Sequence, residues 1–120
     1  SYLDNEFYKA ILTDKLHINE GMFVENVVAQ CLRSNGHKIL FYIEYNEKGK
    51  PVMEIDFLIR KDRKVIPIEA KSGKTFAIKS LQKFKAKFTN RVGLQYVLHD
   101  GDVKRDGEII YLPYYMATIL

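Results

Sequence analysis

The sequence predicts an α/β domain, and three observations carry that prediction. Apolar residues recur at helical spacing in some stretches and at every second position in others, in the order helix, helix, three strands, helix, then one or two strands. Clusters of Gly, Asn, Asp and Pro separate those stretches. Of the 120 residues 47% are hydrophobic, enough for a real core at a length that suggests one domain.

Residues 2–13 read as a short helix, with Leu3, Phe7, Ala10 and Ile11 along one side. Asn19-Glu20-Gly21 marks a break. Residues 22–32 read as a firm helix ended near Asn35-Gly36, and residues 38–45 as a strand. Asn46-Glu47-Lys48-Gly49-Lys50-Pro51 is a turn. The next two strands centre on Glu54-Ile55-Asp56-Phe57-Leu58-Ile59 and Ile66-Pro67-Ile68-Glu69-Ala70-Lys71. Between them lies the polar run Arg60-Lys61-Asp62-Arg63-Lys64, as a hairpin requires. Ser72-Gly73-Lys74-Thr75 is a loop and residues 77–88 a helix. Residues 94–99 are a strand, Asp100-Gly101-Asp102 a turn, and residues 108–112 a last short strand, with Pro113 opening a terminal helical turn.

Charge and cysteine content narrow the function classes. Nineteen Lys plus Arg against fifteen Asp plus Glu give a net charge of +4, which permits a nucleic-acid partner without demanding one. The single Cys31 excludes an internal disulfide and a cysteine zinc site, and is expected to be a free thiol in a reducing cytoplasm. No signal peptide is visible and no apolar run approaches a membrane span, so the expectation is a cytoplasmic protein with no membrane partner. No Gly-rich phosphate loop is present. His17, His37 and His99 are not at zinc-ligand spacing. The chain starts at Ser1 without an initiator Met; residues 1–20 are expected to be a helical or linker segment of a larger protein and residues 21–120 the domain.

The chemistry concentrates in the two charged strands. Residues two apart on a strand share a face, so Glu54 and Asp56 are expected on one face, with Met53, Ile55, Phe57 and Ile59 on the other. Glu69 and Lys71 likewise share a face. A tight turn at Asp62-Arg63 sets Asp56 opposite Glu69 and Glu54 opposite Lys71. Like charges directly opposed are destabilising unless a cation lies between them or a lysine serves as one. Asp56, Glu69 and the Ala70 carbonyl suit a hard divalent cation such as Mg²⁺ or Mn²⁺. Lys71 beside them can orient a water and stabilise charge on a phosphate. Glu25 lines up with Val28, Ala29 and Leu32, and either binds the metal through water or is a structural acid. The alternative for the whole set is a structural charge ladder, with Lys71 paired to Glu54 or Glu69.

This pattern resembles the PD-(D/E)XK nuclease superfamily: a helix acid (Glu25), a strand aspartate (Glu54-Ile55-Asp56), then Glu69-Ala70-Lys71. More narrowly, the chain resembles the C-terminal domain of unknown function of prokaryotic AAA-type ATPases. Five segments carry that likeness: Gly21-Met22-Phe23-Val24-Glu25-Asn26, Glu54-Ile55-Asp56-Phe57-Leu58, Ile66-Pro67-Ile68-Glu69-Ala70-Lys71-Ser72-Gly73, Lys79-Ser80-Leu81 and Leu112-Pro113-Tyr114-Tyr115-Met116. The resemblance implies a restriction-endonuclease-like fold, a mixed central sheet flanked by helices with an α-β-β-β-α-β core. It also implies an upstream ATPase part, Asp56 and Glu69 as metal ligands, Lys71 as the catalytic lysine and Glu25 as the helix acid. Glu54 stands where many members carry Pro. Gln82 is followed by Ala86, which does not support the exonuclease branches that carry Gln and then Tyr four residues on.

The last helix adds a partner expectation. Lys79, Lys83 and Lys87 recur every four residues beside its apolar side of Ile78, Leu81, Phe84 and Phe88, where Lys85 is the exception. Extended by Lys71, Lys74 and Arg91 at the sheet edge, they form a row able to neutralise the phosphates of DNA; Ser80 either touches a phosphate or bonds to backbone. The alternative is a solvated helix face.

Overall fold

A computed structural model describes residues 20–70 and 75–120, with side chains placed from 24–70 and 78–120. The expected helix over 2–13, Lys71 and Lys74 lie outside the described residues. The chain forms α1 (Glu20–Ser34), β1 (Leu40–Tyr45), β2 (Pro51–Lys61), β3 (Lys64–Glu69), α2 (Thr75–Lys87), β4 (Gln95–His99), β5 (Lys104–Asp106) and β6 (Ile109–Pro113). A 3₁₀ turn over Tyr114–Ile119 follows. The strands make one mixed sheet in the order β1-β2-β3-β4-β6-β5. β1, β2 and β3 are antiparallel neighbours; β4 is parallel to β3 and to β6, and β5 is antiparallel to β6. α2 is the crossover that a parallel β3–β4 pair requires.

α1 stops where the chain can turn without strain. Gly36 has φ +86°, the left-handed conformation in which a Cβ is costly. Its N–H donates to the Arg33 carbonyl at 2.9 Å, and the His37 N–H donates to the Leu32 carbonyl at 3.1 Å, the paired bonds of a Schellman end. At its other end the helix already includes Glu20 and Gly21, so the expected break there is corrected. The start of the first strand is corrected from residue 38 to Leu40.

Both faces of the sheet are covered. Val24, Val28 and Leu32 of α1 share one core with Phe57, Ile59, Ile66, Ile68, Leu98 and Leu112. Leu81 and Phe84 of α2 share the other with Met53, Ile55, Leu58, Val92 and Val97. Fully burying Leu, Ile or Phe side chains such as these stabilises the fold by about 1.5–3 kcal/mol each. Asn35 Nδ2 donates to the Thr118 carbonyl at 2.8 Å, tying the end of α1 to the terminal 3₁₀ turn.

The core grouping corrects one expectation. Ile55 and Phe57 are two residues apart yet belong to opposite cores. The ladder explains it: between paired positions the chain advances by two residues on β1 (Leu40 to Tyr42) but by three on β2 (Ile55 to Leu58). β2 therefore carries a β-bulge at Asp56–Phe57 opposite Phe41, and strict alternation ends there.

β5 was not expected. Gly107-Glu108 is a two-residue hairpin loop with glycine first, and Gly107 takes φ +61° in the turn that pairs Asp106 with Ile109. Pro67 sits in an interior strand, where a missing N–H is normally costly. β3 pairs with β4 only through Ile68 and Glu69, so Pro67 precedes that ladder.

Candidate acidic site at the β2–β3 divergence

The hairpin between β2 and β3 sets the geometry. Lys61 pairs with Lys64, leaving Asp62 and Arg63 as a two-residue turn. No glycine is present; Asp62 itself takes φ +57°, a conformation Asp tolerates better than most residues. The register continues through Phe57–Ile68, and one more step sets Asp56 opposite Glu69.

There the regular ladder gives way to side-chain bonds. Asp56 N–H donates to Glu69 Oε1 at 3.1 Å, and Ala70 N–H donates to Asp56 Oδ2 at 3.0 Å. The bulge explains why Asp56 N–H is available: the extra residue of a bulge is left out of the pairing. β3 ends at Glu69, and the Asp56 carboxylate takes the next amide of the departing chain. The result is a reciprocal clasp in which each carboxylate holds a backbone amide of the other strand. Glu69 is only 2% exposed, while Asp56 is half-buried.

Two carboxylates and a neighbouring carbonyl form a hard oxygen donor set. Mg²⁺ is often held by one or two carboxylates, with waters completing its shell, and Asp56 and Glu69 are two carboxylates that the fold brings together here. Among the described residues no group of three Asp, Glu, His or Cys side chains is gathered for a metal. Glu25 is half-buried on α1 beside Val24 and Val28. A role through water is the form its expectation takes.

The α2 lysines are arranged differently from the expected row. Lys83 Nζ donates to the Val52 carbonyl at 3.0 Å. Lys87 Nζ donates to Glu44 Oε1 at 2.7 Å and to the Tyr42 hydroxyl at 3.3 Å. It also lies 5.6 Å from the Phe88 ring centroid. That hydrogen bond holds the Glu44 carboxyl below the usual carboxylate range and lifts Lys87 above the usual ammonium range. Both lysines thus fasten α2 to the β1–β2 hairpin. Ser80 is 1% exposed, and its hydroxyl accepts the Glu54 N–H at 3.2 Å. It is a helix–sheet link, out of reach of a phosphate. Lys79 is exposed. Lys85 bridges to Glu108 at 3.2 Å and donates to the Thr89 and Val92 carbonyls, closing the end of α2.

Residues 20–116 match the family model described as a domain of unknown function, DUF4143. The chain belongs to the DUF4143 family. The match meets the likeness that five short segments suggested, and it spans α1, the acid clasp, α2 and the whole sheet. No curated protein matches the sequence. Sequence reading of this DUF4143 domain missed the bulge and the reciprocal clasp. Consecutive acidic and aromatic residues in a strand carry no bulge signature. Among the described residues no helix is long and apolar enough to cross a membrane.

Proposed function

We propose that this DUF4143 domain is a PD-(D/E)XK-type, metal-dependent nuclease-like module acting on DNA, carried as the C-terminal part of an ATPase. The observation that carries the proposal is the clasp: a buried Glu69 and a half-buried Asp56 meet where β3 leaves the sheet, two residues before Lys71. Opposed acids at such a position cost stability unless a cation compensates them. In this reading Asp56, Glu69 and the Ala70 carbonyl hold Mg²⁺ or Mn²⁺, with Glu25 contributing through water. Once bound, the ion supplies charge neutralisation at a phosphate and an acidified water. The clasp fixes the orientation of both carboxylates, and the Lys71 ammonium stabilises charge that develops on the phosphate. The net charge of +4 and the exposed Lys79 favour a polyanionic substrate. Purified protein with Mg²⁺ or Mn²⁺ is expected to cut duplex, single-stranded or branched DNA, and Lys71→Ala to abolish cutting. Failure on all three substrates counts against the proposal.

A second reading has its own support. The clasp satisfies backbone amides as a purely structural feature would, and Lys83 and Lys87 are engaged within the fold. We propose as the alternative a non-catalytic nucleic-acid- or protein-binding module of an ATPase, in which the site is vestigial. Under that reading Glu69→Gln alters stability and no preparation cleaves DNA.

A further inference from the structure

Away from the acid clasp, where α2 ends over the β1–β2–β3 half of the sheet, the surface holds an apolar cavity of about 230 Å³. Its walls are Tyr42, Leu58, Val65, Phe84, Phe88 and Val92. The aromatic walls are fixed by mutual packing: Tyr42 meets Phe84 edge-on at 5.4 Å and Phe88 at 5.7 Å. A cavity of roughly 150 Å³ lined by apolar side chains already admits benzene, so this one has room for an aromatic ring.

The cavity opens onto a polar recess formed by Lys87, Phe88, Thr89, Asn90 and Arg91, and the two share Phe88 and Arg91. The charge balance around that mouth is one-sided. Glu44 is answered by Lys87 and Glu108 by Lys85. Lys64 Nζ donates to the Asn90 carbonyl at 3.1 Å and makes no ion pair among the described residues. The exposed Arg91 side chain makes no hydrogen bond or ion pair among the described residues. Among the described residues, Lys64 and Arg91 are thus left without a matching acid beside the apolar slot.

We propose that this slot docks a partner-protein segment in which an aromatic side chain is flanked by acidic residues. The ring enters between Phe88, Leu58 and Val65, and a flanking carboxylate meets the Arg91 guanidinium, a geometry suited to bidentate pairing. Aromatic and arginine anchors of this kind dominate the energetics of interfaces. A nucleobase fits less well, because the walls offer almost no polar groups to its edges. This docking stands independently of any chemistry at Asp56 and Glu69.

The protein contains no tryptophan, so a tryptophan peptide reports on its own burial. Titrating acetyl-Glu-Glu-Trp-Glu-Glu-amide with the whole chain is expected to give a saturable blue shift of tryptophan emission. Acetyl-Lys-Lys-Trp-Lys-Lys-amide is expected to give none. Arg91→Glu, checked for native circular dichroism, is expected to weaken binding by about tenfold or more, the loss of one charge-assisted contact. Arg91→Lys is expected to restore part of it. No shift at millimolar protein, equal binding of the basic peptide, or unchanged binding by Arg91→Glu overturns the proposal. Displacement of the peptide by oligothymidylate at lower concentration than by the tryptophan-free acetyl-Glu-Glu-Phe-Glu-Glu-amide overturns the assignment to a protein partner.

Discussion

Removing the Asp56 carboxylate separates the two jobs of the clasp. In Asp56→Ala the Ala70 N–H loses its acceptor, and Ala70 is 1% exposed, so water does not readily replace it. Leaving such a donor unsatisfied costs about 1–3 kcal/mol. Relief of the like-charge opposition to Glu69 returns roughly 0.2–1 kcal/mol. Taking the middle of each range, the net loss without metal is about 1.4 kcal/mol. At a urea slope of ~2 kcal/mol/M, the unfolding midpoint falls by roughly 0.5–1 M. Asp56→Asn keeps an acceptor oxygen and removes the charge; it is expected to match the parent or exceed it by up to ~1 kcal/mol in chelator. Adding Mn²⁺ at about a hundred times its dissociation constant stabilises only the parent, by ~2.7 kcal/mol. Urea unfolding followed by circular dichroism, with EDTA and with Mn²⁺, measures all three. An alanine variant as stable as the parent in EDTA, or a metal response preserved in both variants, refutes the reasoning.

Asp62→Gly is expected to be neutral or stabilising and Asp62→Val to cost about 1–2 kcal/mol, because the turn demands φ +57° at that position; thermal unfolding of the pair checks it. Gln95 Oε1 is buried and finds no hydrogen-bond partner among the described residues, so Gln95→Met is expected to stabilise by ~1 kcal/mol, read from urea midpoints. The Glu44–Lys87 contact predicts a pH signature. Glu44 has a depressed folded pKa, so its contribution is present above its ordinary value of 4.5 and disappears as pH falls through the lower folded value. Lys87 has a raised folded pKa, so its contribution is present below its ordinary value of 10.5 and is lost as pH rises through the higher folded value. Lys87→Met is expected to flatten stability against pH at both ends, measured by unfolding midpoints across pH 3–11 (roughly the span of the two ordinary values).

Much of the fold was legible because it rests on local signals. Asn35-Gly36 marks the end of α1 through a left-handed glycine, and the polar Asp62-Arg63 turn fixes which residue faces Glu69. The hairpin register turned on loop length: a two- or four-residue loop sets the acids opposite each other and a three-residue loop without a bulge does not, and the structure has the two-residue turn. The bulge could not be read that way. It is seen only in β1, where Phe41 alone spans two residues of β2, and that pairing is tertiary information. The same holds for Lys83 and Lys87. Their spacing on α2 is visible in sequence, whereas the Val52 carbonyl and the Glu44 carboxylate that receive them depend on how the helix lies across the sheet. β5 is three exposed charged residues with no apolar face of its own; the glycine at 107 is its one local trace.

Calorimetric titration of Mn²⁺ into the protein tests the central claim most directly. The account predicts one site of micromolar to millimolar affinity, absent in both Asp56→Ala and Glu69→Gln although each remains folded. Heats indistinguishable from buffer in the parent, or the same isotherm in all three proteins, contradict it.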